Sequence, residues 1–100
     1  MGLRFEWDEE KSVSNLRKHR ISFDTALLVF SDPRHVTIPD REIDGEQRWH
    51  TIGLAEGALM LLVVHTVADD EEEEEETVRI ISARKVIARE RRMYEEGSYC

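Results

Sequence analysis

The sequence has a single cysteine, Cys100, only two prolines and no apolar run of the roughly 18 residues that a membrane-spanning helix needs. One cysteine cannot form a disulfide bond within the chain, and the sequence contains no Cys/His cluster that predicts a metal site. The first residues lack the apolar stretch of a signal peptide. We therefore expect a cytoplasmic protein with no membrane contact, no bound metal and no cofactor.

The formal net charge of −8 comes from one short segment. Residues 69–76 are eight consecutive acidic residues, and without them 14 acidic side chains remain against 14 basic ones. The basic and histidine residues form two clusters: Arg17, Lys18, His19 and Arg20, and then Arg84, Lys85, Arg89, Arg91 and Arg92. A local cluster of this kind can bind phosphate whatever the net charge of the chain is. The negative net charge therefore does not exclude nucleic acid as a partner.

Two helices are predicted in the first third of the chain. Asp8 suits the N-cap of the first helix, which has acidic residues in its first turn and Arg17, Lys18 and His19 in its last turn. The second helix is predicted to begin after Ser22, with apolar residues at helical spacing up to Phe30. It is predicted to end at Asp32-Pro33, because a proline disfavours a helical conformation in the residue before it.

The middle of the chain has the alternation that is typical of strands. Strands are predicted at residues 35–38, 48–54, 59–67 and 77–83, followed by a final helix over residues 84–96. Short turns between successive strands favour an antiparallel meander. A chain of 100 residues is expected to form one domain, residues 1–100, with an α+β fold of two N-terminal helices, a four-stranded antiparallel sheet and a C-terminal helix.

The acidic tract lies between the last two predicted strands. Like charges at this density repel one another, so residues 69–76 are predicted to form a mobile, solvated hairpin loop. An alternative is that the tract mimics RNA and occupies a basic surface. The solvated loop is the simpler interpretation.

Several stretches, in order along nearly the whole chain, resemble the BrnT family of toxins. They are Phe5 to Ser12, Asn15 to Phe23 with Ala26, Asp44 to Arg48 with Ile52-Gly53, Leu62 to Thr66, and Val78 to Lys85 with Glu90 and Tyr94. The last of these is the most specific. The chain departs from the family at Arg20, where a glycine is usual, at Val86, where an alanine is usual, and in the acidic tract, which lengthens a loop that is normally short.

The resemblance implies a RelE-like fold and an endoribonuclease that blocks translation. It also implies a type II toxin–antitoxin system, in which a BrnA-type antitoxin neutralises the toxin and carries the DNA-binding part. Operator DNA would then be contacted only through the antitoxin, and the toxin is expected to dimerise within that complex. A catalytically inactive, toxin-like module that acts as corepressor is the alternative, since the low basic charge and the acidic tract also fit it.

RNA cleavage without a metal uses the 2′-hydroxyl as nucleophile, so the protein must supply proton transfer and positive charge around the phosphate. With the resemblance in view, Arg79 and Arg84 are candidate phosphate ligands, since a guanidinium binds two phosphate oxygens at once. The alternative for Arg79 is an exposed cross-strand ion pair, and for Arg84 a solvated residue at the start of the last helix. Arg48 and His50 are predicted to project from one strand face, as a cation beside a proton-transfer group.

Four further residues are candidates with supporting or alternative roles. His19 is a candidate acid or base, and Lys18 beside it is expected to act mainly in helix capping. Glu90 and Tyr94 share one face of the last helix, and Glu90 is predicted to brace an arginine such as Arg79 or Arg84. Tyr94 is expected to pack, or to stack on a base. The general base stays open among His19, His50 and Glu90, whereas His65 in the most apolar strand is predicted to be a hydrogen-bonded core residue.

Overall fold

The computed structural model describes residues 2–97, which form five strands and three helices. In chain order these are β1 (Gly2–Glu6), α1 (Glu9–His19), α2 (Phe23–Ala26), β2 (Val36–Ile43), β3 (Glu46–Glu56), β4 (Leu59–Asp70), β5 (Glu75–Lys85) and α3 (Ala88–Glu96). A 3₁₀ turn, Leu27–Ser31, follows α2. The predicted α+β class is therefore confirmed, and the described helices include none that is long and apolar enough to cross a membrane.

The strands form one mixed sheet in the order β1-β5-β4-β3-β2. Strands β2 to β5 are the predicted antiparallel meander. The predicted count of four strands is wrong, because β1 pairs in parallel with β5, with Phe5 opposite Val78. Hairpin turns mark neighbouring strands in a sequence, whereas the partner of β1 lies some 70 residues away, so no local signal indicates this pairing.

The two N-terminal helices begin at the predicted caps. The Asp8 carboxylate accepts a hydrogen bond from the N–H of Glu10, and the Ser22 hydroxyl accepts one from the N–H of Thr25. The second helix is shorter than predicted, since regular α-helix ends at Ala26 and the chain continues as the 3₁₀ turn. Helix α1 ends at Arg20, which has a left-handed backbone with φ of 64°. That conformation favours glycine, the residue that the family resemblance leads one to expect there.

The C-terminal helix begins four residues later than predicted. Arg84 and Lys85 belong to β5, where they pair with Leu62 and Leu61 of β4. Helix α3 begins at Ala88 after Ile87 and ends at Gly97. Arg84 is therefore a strand residue, and the prediction that it lies in the first turn of the helix is wrong. Strand β4 is long enough to pair with β5 up to Lys85, and this backbone pairing overrides the helix propensity of the Arg-Lys sequence.

The acidic tract is a hairpin, but only half of it is a loop. The pairs Asp69–Glu76 and Asp70–Glu75 continue the ladder between β4 and β5, so the turn is confined to residues 71–74. The Asp70 side chain accepts hydrogen bonds from the N–H groups of Glu72 and Glu73. A strand can hold a row of carboxylates because only its backbone must pair, while its side chains stay in water.

The sheet carries a different core on each face. Phe23 and Val29 from the helical layer pack against Leu61, Val63 and Ile80 on one face. On the other face Ile52, Met60 and Leu62 pack against α3. Helix α3 packs beside Met60 and Leu62, and two adjoining cavities open on the same face. The candidate site lies there.

Candidate functional site

A continuous groove lies on the open sheet face beside α3. One part, of about 460 Å³, is lined by Ile38, His50, Leu62, Arg84, Arg89, Glu90 and Met93. An adjoining part, of about 310 Å³, shares His50, Leu62 and Arg84 with it and adds Asp40, Arg41, Arg48 and Ser82. We call this the sheet-face groove. It contains four of the predicted site residues: Arg48, His50, Arg84 and Glu90.

Strand register explains why these side chains meet. His50 lies opposite Val64, which lies opposite Ser82, and one step further Ile52, Leu62 and Arg84 are aligned in the same way. Directly opposed residues project from the same face of a sheet. A β-bulge between Val64 and His65 leaves Ile81 without a partner across the ladder.

The bulge changes the face on which the end of β5 projects. Regular alternation along the predicted strand 77–83 would place Ser82 on the side of Val78 and Ile80, with Ala83 on the other side, and the structure contradicts this. Ala83 lies in the core with Val78 and Ile80, and Ser82 lines the groove. The extra residue at the bulge shifts the alternation by one position, and the same shift turns Arg84 into the groove.

Arg84 and Glu90 form a two-point ion pair between β5 and α3. Nη1 and Nη2 of Arg84 donate to Oε1 and Oε2 of Glu90 at 2.9 and 2.8 Å. Oε1 also accepts the N–H of Ile87, which caps the helix. Burial alone would raise the pKa of Glu90, but the hydrogen bonds from Arg84 and Ile87 outweigh it and lower the pKa. The predicted bracing contact is therefore present with Arg84, and Glu90 is held as a buried carboxylate.

Arg48 and His50 lie on the side of the groove away from α3. Nε2 of His50 is 3.2 Å from Oδ2 of Asp40, a residue of β2 at the point where its register with β3 shifts. The Gln47 side chain ties down this irregular segment by donating to the carbonyl oxygen of Asp40. Nε of Arg48 is buried and has no hydrogen-bond partner among residues 2–97. The groove thus holds Arg48, whose Nε–H has no acceptor among the described residues, beside the pair formed by His50 and Asp40.

Tyr94 helps to fix α3 over the sheet through Asp32. Its hydroxyl donates to Oδ2 of Asp32 at 2.7 Å, and the same oxygen accepts the N–H of Leu54 at 2.8 Å. Burial alone would raise the pKa of Asp32, but these hydrogen bonds lower it. Gly53 permits the close approach, since a Cβ there would lie 3.0 Å from Val29 Cγ1 and 3.3 Å from Oδ2 of Asp32. The contacts of Tyr94 are those of a packing residue.

Arg79 is not close to the groove. It lies opposite Thr66, and Arg84 lies opposite Leu62, so the two arginines project from one face about 13 Å apart along the strands. The Arg79 guanidinium donates to Glu6 of β1 at 3.1 Å, and both side chains are about half exposed. This is the exposed cross-strand ion pair that the sequence analysis gives as the alternative to phosphate binding by Arg79.

Lys18 and His19 line a separate cleft on the other flank of β5. This α1 cleft, of about 170 Å³, is bounded by Lys11, Ser14, Lys18 and His19 of α1 and by Ile81 and Ser82 of β5. His19 and His50 are thus on opposite sides of one strand, and a role for His19 in the groove stays a prediction.

His65 has the predicted core environment. It is 2% exposed, its Nε2 is 2.7 Å from the Thr51 hydroxyl, and its ring meets that of Phe30 edge-on. Burial lowers the pKa of His65 to about 4, so it is neutral at physiological pH.

Sequence reasoning missed Asp40, Arg41, Ser82 and Arg89 as groove residues. Asp40 follows Pro39 in an edge strand, and a proline there was a signal of an irregular segment. Arg41 belongs to the same irregular segment of β2, whereas Ser82 depends on the bulge in β5 and Arg89 on where α3 begins. Neither feature is visible in hydrophobic periodicity.

A small α+β fold whose open sheet face combines arginines, a histidine and a carboxylate is suited to binding a phosphodiester and moving a proton beside it. Comparison with known proteins agrees with this class. A family model described as the ribonuclease toxin BrnT of a type II toxin–antitoxin system matches residues 7–90. The chain belongs to this family of ribonuclease toxins.

A solved structure supports the same fold. The chain is similar to the crystal structure of the Brucella abortus ribonuclease toxin BrnT, with a TM-score of 0.63 and 23% sequence identity. The match covers 85% of this chain and 97% of the other. No curated protein matches the chain. As a type II toxin family member, the chain is expected to have an antitoxin partner.

Proposed function

We propose that this chain is a metal-independent endoribonuclease that inhibits translation by cleaving RNA in the sheet-face groove. Membership of the family supports ribonuclease activity. The residues of the groove support a mechanism without a metal. The observation that carries the proposal is that Arg48, His50 and Arg84 share one open sheet face. Two of the three are arginines, and the third is a residue type that exchanges protons near neutral pH.

The reaction that fits these groups is attack of the RNA 2′-hydroxyl on the adjacent phosphorus. The hydroxyl proton passes to His50, the new O2′–P bond forms, and the P–O5′ bond breaks. The products are a 2′,3′-cyclic phosphate and a 5′-hydroxyl, whose proton comes from solvent or from an acid in the groove. The nucleophile belongs to the substrate, so the chain needs no nucleophilic side chain.

The two arginines have different parts in this mechanism. Arg48 lines the groove and its guanidinium forms no salt bridge among the described residues, so it is available to a phosphate oxygen. The Arg84 side chain is 38% exposed and lines the groove, and its guanidinium is held in place by Glu90 and by the carbonyl oxygen of Lys85. A clamp fixed before the substrate arrives stabilises the negative charge that develops on the phosphate without a reorganisation cost.

Glu90 is better suited to positioning than to proton abstraction. Its two oxygens are occupied by Arg84 and the N–H of Ile87, and its pKa is lowered. A base needs a free lone pair and a pKa near the working pH. His50 is therefore the proposed proton-transfer group, and Asp40 holds its ring.

In the cell we propose that a BrnA-type antitoxin neutralises the chain, that operator DNA is bound only through that antitoxin, and that the toxin dimerises within the complex. A cytoplasmic location follows from a system that acts on translation. The competing function is a corepressor without catalysis.

Expression of the chain alone in a bacterium distinguishes the two functions. We expect growth arrest and loss of intact RNA, with relief by Arg84→Ala. Arg92→Ala removes an exposed cation of α3 that lies outside the groove, and it should leave the arrest intact. Normal growth with well-expressed, folded wild-type chain would support the corepressor.

A further inference from the structure

The α1 cleft has a charge pattern that the sheet-face groove does not explain. We propose that it binds a second phosphate of the RNA, next to the phosphate that is cleaved in the groove. This inference rests on the proposed function and assigns the cleft a ligand class, the phosphodiester backbone of a single strand. Lys18 and His19 would then bind RNA in the α1 cleft, outside the sheet-face groove.

Every charged side chain that lines the cleft is basic or a histidine. Lys11 and Lys18 are seven residues apart on α1, so they lie on one helix face about 10 Å from each other, with His19 at the end of the helix. Among residues 2–97 none of the three forms a salt bridge. The hydroxyl groups of Ser14 and Ser82 add neutral donors. Such a lining favours an anion.

A buried amide joins α1 to β5 beside the cleft. Asn15, which is 6% exposed, accepts the N–H of Ala83 and donates to the carbonyl oxygens of Ala83 and Ile21. Strand β1 pairs with β5 only as far as Glu6 and Arg79. Further along β5, at Ala83, the Asn15 side chain makes the backbone hydrogen bonds that a neighbouring strand would otherwise make. Asn15 therefore sets the position of α1 against β5, and the exposed Lys11 and Lys18 extend from that helix at the cleft.

The cleft and the groove meet at the bulge of β5. Ile81 and Ser82 line both, so only the width of one strand, about 5 Å, separates them. A ligand that occupies both must be a polyanion that passes over this edge. Single-stranded RNA has that form, with phosphates at short, regular spacing, and this continuity favours RNA over a separate protein ligand.

The test measures binding of two 2′-O-methyl oligonucleotides, which keep the phosphates but cannot be cleaved. A dinucleotide has one phosphodiester and can occupy only the groove, whereas a hexanucleotide can reach both sites. We expect Lys18→Gln to weaken hexanucleotide binding about five- to tenfold and to reduce the slope of log K against log salt by about 0.7. The ratio of hexanucleotide affinity to dinucleotide affinity should fall by the same factor in this variant.

Arg17→Gln is the matched control, because it removes the same charge from the neighbouring residue. Arg17 lies on another face of α1, beside Glu9, Glu10 and Val13. We expect its hexanucleotide affinity to stay within about twofold of the wild type, by analogy with other exposed charges. Lys11→Gln should behave like Lys18→Gln.

The outcomes separate this inference from the proposed function. Equal effects of Lys18→Gln and Arg17→Gln, with a large loss for Arg84→Ala, would overturn the second phosphate site alone. If the wild type binds neither the dinucleotide nor the hexanucleotide, both proposals are overturned. Unchanged RNA binding with weakened antitoxin binding in Lys18→Gln would make the cleft a protein interface, which also overturns the proposal.

Discussion

Arg84 and Glu90 join β5 to α3 through two parallel hydrogen bonds of 2.9 and 2.8 Å. The pair does two things at once. It fixes the orientation of a guanidinium at the groove, and it anchors the first turn of α3, since Glu90 also accepts the N–H of Ile87. Stability and activity should therefore both depend on Glu90, for reasons that can be separated by measurement.

Glu90→Ala should lower the free energy of unfolding by about 2 kcal/mol, because it leaves Arg84 without its partner and removes the cap of α3. Urea denaturation measures this change. Glu95→Ala, at an exposed position of the same helix, is the control and should change stability by less than about 0.5 kcal/mol. Equal effects of the two variants would show that the ion pair contributes nothing beyond an ordinary helix residue.

Asp40→Asn should lower kcat about 10- to 100-fold with little change in KM, because an amide does not hold the His50 ring as a carboxylate does. Initial rates on a defined RNA test this. Asp44→Asn is the matched control: Asp44 is exposed in the next turn and has φ of 52°, which asparagine tolerates. A rate for Asp40→Asn equal to that of Asp44→Asn would exclude a role for Asp40 in proton transfer.

His65 should make the protein less stable as the pH falls below neutrality. Its pKa is about 4 in the folded chain and 6.5 unfolded, so the unfolded state binds more protons between these values. The stability is fully present above pH 6.5 and is lost as the pH falls toward 4. Between pH 7.5 and 5.0 the loss should be about 2 kcal/mol.

Urea titrations at several pH values measure this loss, and His65→Gln should flatten the dependence. Asp32 and Glu90 also have lowered pKa values, so their contributions disappear only at more acid pH and do not account for a loss above pH 5. An NMR titration that placed the pKa of His65 near 6.5 would contradict the burial argument.

Arg20→Gly should stabilise the chain by about 0.5 to 1 kcal/mol, because a residue with a Cβ is strained at φ of 64°. Thermal or urea unfolding detects this gain. Arg20→Ala is the control, since it removes the side chain but keeps the Cβ, and it should give no such gain. A gain of the same size in both variants would assign the effect to loss of a positive charge instead.

Much of the fold could be predicted from the sequence because its signals are local. The caps Asp8 and Ser22 mark helix starts, and the long apolar run of β4 marks a central strand. The parallel partner of β1 could not be predicted, since that pairing is remote in sequence. The end of β5 was misjudged for a related reason: what keeps Arg84 in a strand is its neighbour Leu62, not its own propensity.

The site was predictable in composition but not in arrangement. Arg48 and His50 project together as the alternation of β3 indicates, and Glu90 binds an arginine as its place in an apolar stripe suggests. The bulge at Ile81 and the irregular segment at Asp40 decide which further side chains enter the groove. Both are one-residue departures from regular pairing; Pro39 is a local signal of the second, but no spacing rule places either at its residue.

The central claim is that the sheet-face groove cleaves RNA through the 2′-hydroxyl without a metal. The most direct measurement incubates the purified chain with a defined RNA in EDTA and identifies the product ends by mass spectrometry. We expect 2′,3′-cyclic phosphate and 5′-hydroxyl ends, no cleavage where the 2′-hydroxyl is replaced by hydrogen, and a loss of at least 100-fold, about 3 kcal/mol in the barrier, for Arg84→Ala. Intact RNA in EDTA with cleavage restored by a divalent cation, or full activity of Arg84→Ala, would contradict it.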